Sequence, residues 1–262
     1  MNIFLFSGGL GNQIFQIFEF MKNNDKYSHY STILFNKRAL SFLRKFYFET
    51  NEFKESNLFF TRILYFLTKF NFFGIDSDVS YLNQTKSLSK KNIFTNGYFQ
   101  KSFNNDELNY LKSILNNFSL IKSDESRPTN HVLMHIRRAD YVTINEDLKI
   151  DYYLKSIEYF IKNVSRPSFY VITNDKNWVQ NHLSSEVNFQ FLEIKEAELI
   201  LNEMIKFRNI IMSNSTLSYW GLLLNNNENK KATVPTPWFR NRKNPEFVND
   251  IVNFEKIKNN EK

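Results

Sequence analysis

Arg137, Arg138 and Asp140 lie together in the stretch His131-Val132-Leu133-Met134-His135-Ile136-Arg137-Arg138-Ala139-Asp140-Tyr141, and few other residues here are so well suited to holding an anion. The planar fork of arginine binds two oxygens at once and keeps its charge, which suits phosphate. The same letters also allow a plain surface ion pair of Arg137 or Arg138 with Asp140. Two further clusters have matching character. Asn174 and Asp175 end one apolar run, and Asn214, Ser215, Thr216 and Ser218 precede the apolar segment Tyr219 to Leu224. Hydroxyls, backbone amides and a positive helix end bind phosphate well, although ordinary N-capping by Ser or Thr explains the same letters. Taken together, the three clusters suggest a cleft for a nucleotide diphosphate.

The elements that must position these groups alternate. Val132, Leu133, Met134 and Ile136 form a short buried strand, followed by a helical pattern from Asp151 to Asn163. Ser168 to Thr173, Phe189 to Leu192, Asn209 to Met212 and Lys231 to Val234 read as further strands, with helices through Trp178 to His182, Ala197 to Phe207 and Tyr219 to Leu224. Strands alternating with helices predict a parallel, doubly wound α/β sheet whose ligands sit at the carboxyl ends of the strands. The N-terminal half opens with a strand from Asn2 to Phe6, the turn Ser7-Gly8-Gly9-Leu10-Gly11-Asn12-Gln13, and a helix from about Ile14 to Met21. Such a turn can aim amides at an anion or can be purely structural; the dinucleotide fingerprint fails at Ile14. Ser31 to Phe35 and Ile93 to Phe99 read as strands, and Asp106 to Phe118 as a helix capped by Asn104 or Asn105. The polar, Pro128-containing stretch Lys122 to Asn130 reads as a linker, dividing the chain into domains 1–125 and 126–262. The tail after Asn249 is polar and expected to fray.

Composition narrows the chemistry. The 262 residues contain no cysteine, which excludes disulfides and thiolate metal sites. His29, His131, His135 and His182 lack metal spacing, and there is no H-E-x-x-H or G-x-S-x-G. Asp76-Ser77-Asp78 has the letters of a metal-holding pair but follows a Phe-rich helical stretch. The N-terminus reads as a first strand and no signal peptide, and Leu58 to Phe73 is too short to span a bilayer. From Lys37 to Phe73, Phe and Leu alternate with Lys and Arg at helical spacing. Core-facing aromatics beside a solvated basic face is the plainer reading, and contact with a membrane surface the other. The net charge of +7 permits a sugar nucleotide, an acidic lipid surface or nucleic acid. A catalytically silent basic protein gripping membrane or nucleic acid is therefore a rival reading, although no nucleic-acid motif is recognised.

Gly8-Gly9-Leu10-Gly11-Asn12-Gln13-Ile14-Phe15-Gln16 resembles the opening signature of the α-1,2-fucosyltransferases, glycosyltransferase family 11. His135-Ile136-Arg137-Arg138-Ala139-Asp140-Tyr141 resembles the family's central H-x-R-R-G-D-Y motif. Gly97-Tyr98-Phe99-Gln100, Asp151-Tyr152-Tyr153, Asn174-Asp175 with Trp178, Asn214 to Trp220 and Pro237-Trp238-Phe239 follow in the family's order.

The resemblance implies a GT-B fold, two Rossmann-like domains facing across a cleft, the first on the acceptor side and the second binding the nucleotide sugar. It implies metal-independent, inverting transfer of L-fucose from GDP-β-L-fucose to the 2-hydroxyl of a galactoside, with no cofactor. The setting would be surface polysaccharide synthesis of O-antigen type. The expected location is cytoplasmic, with the inner membrane face, a lipid-linked acceptor and contact through Lys37 to Phe73 as options, and no nucleic acid as partner. By analogy Arg137 neutralises the departing diphosphate, while His135, Arg138, Asp140, Asp175, Asn214, Ser215, Thr216 and Ser218 shape the donor pocket. Gly9, Gly11, Asn12 and Gln13 would line the cleft near the reacting sugar. Inversion needs a general base, which the sequence leaves unassigned among Glu146, Asp147, Asp140 and Glu19, the first two reading as solvated loop charges. Ala139 in place of the family's glycine and a short Val142 to Ile150 segment keep another nucleotide sugar open as donor.

Overall fold

The computed structural model describes residues 2–27, 29–31, 56–69, 74–77, 92–117, 120–122 and 126–259. Two compact units emerge, residues 1–101 and 102–262.

In the first unit β1 (Ile3–Leu5) leads into α1 (Leu10–Lys22), then β2 (His29–Ser31), α2 (Leu58–Thr68), β3 (Gly74–Ser77) and β4 (Asn92–Asn96). All pairings are parallel, in the order β2-β1-β4-β3. The strands are buried because apolar side chains face both ways: Phe4, Phe6, Phe20 and Tyr30 form a mutual edge-to-face cluster. α1 starts four residues earlier than its apolar period suggests, so Gly11, Asn12 and Gln13 form its first turn and Gly9 its N-cap. The strand expected over Ser31 to Phe35 is seen only as far as Ser31; its remainder, and most of the helices expected from Lys37, lie outside the described residues. Asp76 and Ser77, expected to follow a helical stretch, end strand β3, while Asp78 lies outside the description. On α2 Leu64 and Tyr65 face the core, Tyr65 edge-on to Phe94, but the phenylalanines do not: Phe59 is 75% exposed, and Leu58, Phe60, Ile63 and Phe66 are also exposed.

The second unit contains α3 (Asn105–Asn117), β5 (His131–Ile136), α4 (Ala139–Thr143), α5 (Ile150–Asn163), β6 (Ser168–Thr173), α6 (Lys176–Leu183), β7 (Phe189–Phe191), α7 (Ala197–Met204), β8 (Asn209–Ile211), α8 (Thr216–Leu223), β9 (Lys231–Thr236) and β10 (Glu255–Lys258). The expected boundary at 125/126 moves to 101/102, because α3 is bound into this unit. The Phe103 ring packs edge-on against Trp220, the Phe103 amide donates to Asp250, and Lys112 donates to Asn226. Asn104 caps α3 by accepting from the Glu107 amide.

The six strands run parallel in the order β10-β9-β8-β5-β6-β7. One face of α5, Tyr152, Tyr153, Ile157 and Phe160, packs on Val132, Met134, Phe169 and Val171. Each such side chain contributes about 1.5–3 kcal/mol of burial. The Tyr152 hydroxyl donates to the carbonyls of Met212 and Thr233, tying α5 to β8 and β9. α8 lies close against α7 because Gly221 has no side chain; a Cβ there would sit 2.6 Å from the Met204 sulfur. Over its described residues, to Asn259, the tail is ordered into structure: β10 adds a parallel strand to β9, which itself runs two residues beyond Val234. Two parallel α/β units in succession match the α/β class expected from the sequence.

Candidate functional site

β5 is where the second sheet changes direction. The chain builds β6 and β7 to one side of it, then returns to lay β8, β9 and β10 on the other. In such sheets the loops after the two strands flanking the reversal part and leave a ligand crevice at their carboxyl ends. Here those loops carry Arg137 to Tyr141 after β5 and Met212 to Ser218 after β8.

The floor of this place is polar and closed. His135 Nδ1 lies 2.6 Å from the Ser218 hydroxyl and 3.2 Å from that of Ser213, and the Ser213 amide donates to Ser218 Oγ. Burial, reinforced by Arg137, pushes the His135 pKa down to about 3, so the imidazole is neutral at physiological pH. His135 and Ser218, expected around the donor, instead lock β5 to the start of α8 from beneath.

The two adjacent arginines have opposite fates. Arg138 Nη1 donates to Asp147 at 2.7 Å, its Nε to Asp175 at 3.3 Å, and its guanidinium stacks 4.2 Å from the Trp178 ring centre. Its amide donates to Asn174, and Asp175 also caps α6 by accepting from the Trp178 amide. Arg138 and Asp175 were expected to bind the donor; each is committed to the other, and only 13% of the Arg138 side chain is exposed. Arg137 pairs with Asp140 through two hydrogen bonds of 2.9 and 3.0 Å, and this pair is open to solvent. The surface ion pair foreseen for this motif therefore exists. An exposed pair of this kind is worth about 0.2–1 kcal/mol, so a phosphate can displace Asp140 at small cost.

After β8, Ser215 is the N-cap of α8, its hydroxyl accepting from the Leu217 amide at 3.3 Å. Capping is thus the observed role of Ser215. On the loop after β5, burial raises the pKa of the Tyr141 hydroxyl. Thr216, the first residue of α8, is half-buried. Asn214 is buried and donates to the Glu146 carbonyl at 2.7 Å, a bracing contact between the two loops.

The four base candidates separate clearly. Glu146 and Asp147 are buried, not solvated. Glu146 accepts from the amides of Arg240 and Asn241 at 2.8 and 3.2 Å, and Asp147 sits between Arg138 and Arg240. Both carboxylates are thus engaged by neighbours within the protein. Asp140 is exposed beside Arg137. Glu19, on α1, has its pKa raised by burial, an effect opposed by Lys26, Lys101 and Lys22. Ala139 opens α4 without a left-handed backbone, so the missing glycine imposes no strain.

In the first unit the Gly8 to Gln13 turn is built from amides. Gln13 Nε2 donates to the Gly8 carbonyl, Gln100 Nε2 to Asn12 Oδ1, and Gln16 Nε2 to the Gly97 carbonyl. Gly8 takes φ of +77°, and a Cβ would lie 2.9 Å from the Tyr98 ring. It is Gly8, more than Gly9, that the turn requires.

Sequence reasoning named Pro237-Trp238-Phe239 but missed the arginines that follow in the loop after β9. There Trp238 and Phe239 amides donate to Asn244 Oδ1, and Arg240 and Arg242 reach back to Asp147 and Glu146. The available signal was a second arginine pair, Arg240-Asn241-Arg242, directly after a strand.

The sequence profile described as Glycosyl transferase family 11 matches residues 4–248. An alpha-1,2-colitosyltransferase of Escherichia coli is 35% identical over 127 residues, a match covering 45% of this chain and 44% of that protein. The O-antigen biosynthesis glycosyltransferase WbnK of Escherichia coli is 26% identical across 89% of this chain and 93% of its own length. Among solved structures, a glycosyl transferase family 9 protein from Veillonella parvula aligns over 98% of this chain and 84% of its own, with TM-score 0.45 and 10% identity.

Proposed function

The chain belongs to glycosyl transferase family 11, and from that premise we propose that it transfers L-fucose from GDP-β-L-fucose to the 2-hydroxyl of a galactoside. The observation that carries the reading is Arg137: an exposed guanidinium at the reversal of the second sheet, paired among the described residues with the exposed Asp140 carboxylate, while the neighbouring strand β8 leads to the Ser215 N-cap of α8. In an inverting displacement the acceptor oxygen attacks the anomeric carbon as its bond to the diphosphate breaks. The acceptor proton passes to a base, and negative charge grows on the leaving GDP. Arg137 meets that charge as it develops, where a fixed cation stabilises most. His135, Ser213 and Ser218 keep the two loops in register without taking or giving a proton. The uncharged amide turn at Gly8 to Gln13 suits sugar hydroxyls better than phosphate.

We place the reaction in surface polysaccharide synthesis, on a galactose-containing acceptor and with guanidinium groups in place of a metal. The polysaccharide setting is supported by the name of one Escherichia coli relative, the O-antigen biosynthesis glycosyltransferase WbnK, and the name of the other is that of a colitosyltransferase. A second donor is favoured by one of them: colitose is L-fucose without its 3-hydroxyl, so GDP-colitose is the alternative. A site that hydrogen-bonds a substrate hydroxyl rejects the analogue lacking it, so the two donors are separable by rate. The test is transfer to a panel of β-galactosides with EDTA present, following GDP release and product mass for GDP-fucose, GDP-colitose, GDP-mannose and UDP-sugars. Fucosylated product that resists EDTA is expected. Product from a different donor alone, or loss of product with EDTA, overturns the corresponding part.

A further inference from the structure

The loop after β9 brings a third arginine to the same place. Arg242 Nε lies 3.6 Å from Glu146 Oε1, with 42% of the Arg242 side chain exposed and none of that of Glu146. A plain structural reading would make Arg242 the counter-ion of a buried carboxylate. That carboxylate, however, already accepts from two backbone amides at hydrogen-bond distance, and the Arg242 contact is longer than either. The pairing is through Nε alone among the contacts of the described residues, on a side chain that is partly exposed. The guanidinium also lies 5.8 Å from the Phe239 ring centre, which steadies its stem side.

β5, β8 and β9 run parallel, so Arg137, the start of α8 and Arg242 all follow carboxyl ends on one edge of the sheet. The Glu146 amide donates to the Tyr141 carbonyl at 2.9 Å, which ties the partner of Arg242 to the loop after β5. Glu146 carries the same connection from below, since its side chain holds the Arg240–Arg242 loop while its carbonyl holds Asn214.

We propose that Arg242 is a second diphosphate-binding cation of the donor site, joining Arg137 there from the loop after β9 and positioned by buried Glu146. This rests on the reading that a nucleoside diphosphate sugar binds at the reversal of the second sheet. Two guanidiniums can share the oxygens of a diphosphate, whereas one phosphate alone offers less to divide between them. Arg242 contributes to holding the donor, and Arg137 to the charge that develops on departure.

The experiment is calorimetric titration of wild type, Arg242→Ala, Arg242→Lys and Glu146→Gln with GDP and with GMP, alongside donor kinetics and thermal melting of each variant. Arg242→Ala is expected to weaken GDP about tenfold or more, roughly 1.4 kcal/mol, and GMP by less than about threefold. Arg242→Lys should recover part of the loss, because the charge returns without the fork. Glu146→Gln should weaken GDP in the same pattern but less. In kinetics Arg242→Ala should raise the donor KM more than it lowers kcat. GDP affinity of Arg242→Ala within twofold of wild type, with GDP binding intact in wild type, overturns the assignment of Arg242 alone. Equal losses for GDP and GMP overturn it as well, by making the effect non-specific. Wild type that binds no nucleoside diphosphate overturns the underlying donor reading, and this proposal with it.

Discussion

His135 and Ser218 share a 2.6 Å hydrogen bond between β5 and α8, at the point where the two loops of the site diverge. The imidazole is held neutral there, its pKa pushed down to about 3 by burial. An unfolded chain takes up a proton on His135 near pH 6.5, and the folded one does not until far lower. Stability from this residue is therefore complete above pH 6.5 and is lost on acidification toward pH 3, by at most about 1.4 kcal/mol per pH unit. Urea unfolding at pH 7.5 and 4.5 should give a steeper loss for wild type than for His135→Phe. Parallel losses in the two proteins would exclude His135 as the source.

Arg137 and Arg138 should respond in opposite ways to alanine. Removing Arg138 leaves Asp147 and Asp175 without their shared partner in a partly buried network, which should cost about 3 kcal/mol of stability. Removing Arg137 takes away an exposed pair and should change stability by less than about 1 kcal/mol. Its cost falls on transfer, expected to drop by about 100-fold or more. Thermal melts and initial rates on both variants read the two effects separately; transfer by Arg137→Ala within tenfold of wild type would remove its assigned role.

The glycine turn offers a sharper contrast. Gly8→Ala meets both a left-handed backbone and the Tyr98 ring, and should destabilise by more than about 1 kcal/mol. Gly9→Ala has open space beside its Cβ position and should stay within about 0.5 kcal/mol. Denaturant midpoints for the pair settle this; equal effects would place the strain elsewhere.

α2 carries exposed Leu58, Phe59, Phe60, Ile63 and Phe66 with Arg62 exposed among them, Lys69 following, and no acidic residue along its length. Such a face matches an anionic lipid surface in both polarity and sign. Co-sedimentation with phosphatidylglycerol vesicles is expected, and should weaken severalfold in Phe59→Ser/Phe66→Ser with no change in melting temperature. No sedimentation, or equal binding to neutral phosphatidylcholine, would overturn the match; dimer formation by wild type but not by the double variant would point to a second copy of the chain instead.

The site was readable where strands end in polar groups. Val132 to Ile136 form an apolar run that stops at two arginines, so both the strand and its loop are local properties. What the letters could not show was which arginine turns inward. That depends on Asp147 and Asp175, the latter 37 residues away from Arg138. Glu146 looked like a solvated charge because its partners, the amides of Arg240 and Asn241, are almost a hundred residues on. The domain boundary was misjudged for a similar reason: α3 is amphipathic, but its sequence does not say which sheet covers its apolar face. α1 began early because Gly9 and Gly11 suggest a loop, while the amides of Asn12 and Gln13 already bond the Gly9 carbonyl as a first helical turn.

β10 was hidden by its own composition, Glu255-Lys256-Ile257-Lys258, which has little to bury. That composition matters once the strand is seen at the border of the sheet, next to the apolar β9. A bare β9 would offer a row of unsatisfied backbone groups to any neighbouring chain. Covering it with a short strand of exposed charges discourages edge-to-edge pairing between molecules. The last strand thus guards the protein's colloidal behaviour, and trimming it would show first as aggregation at high concentration.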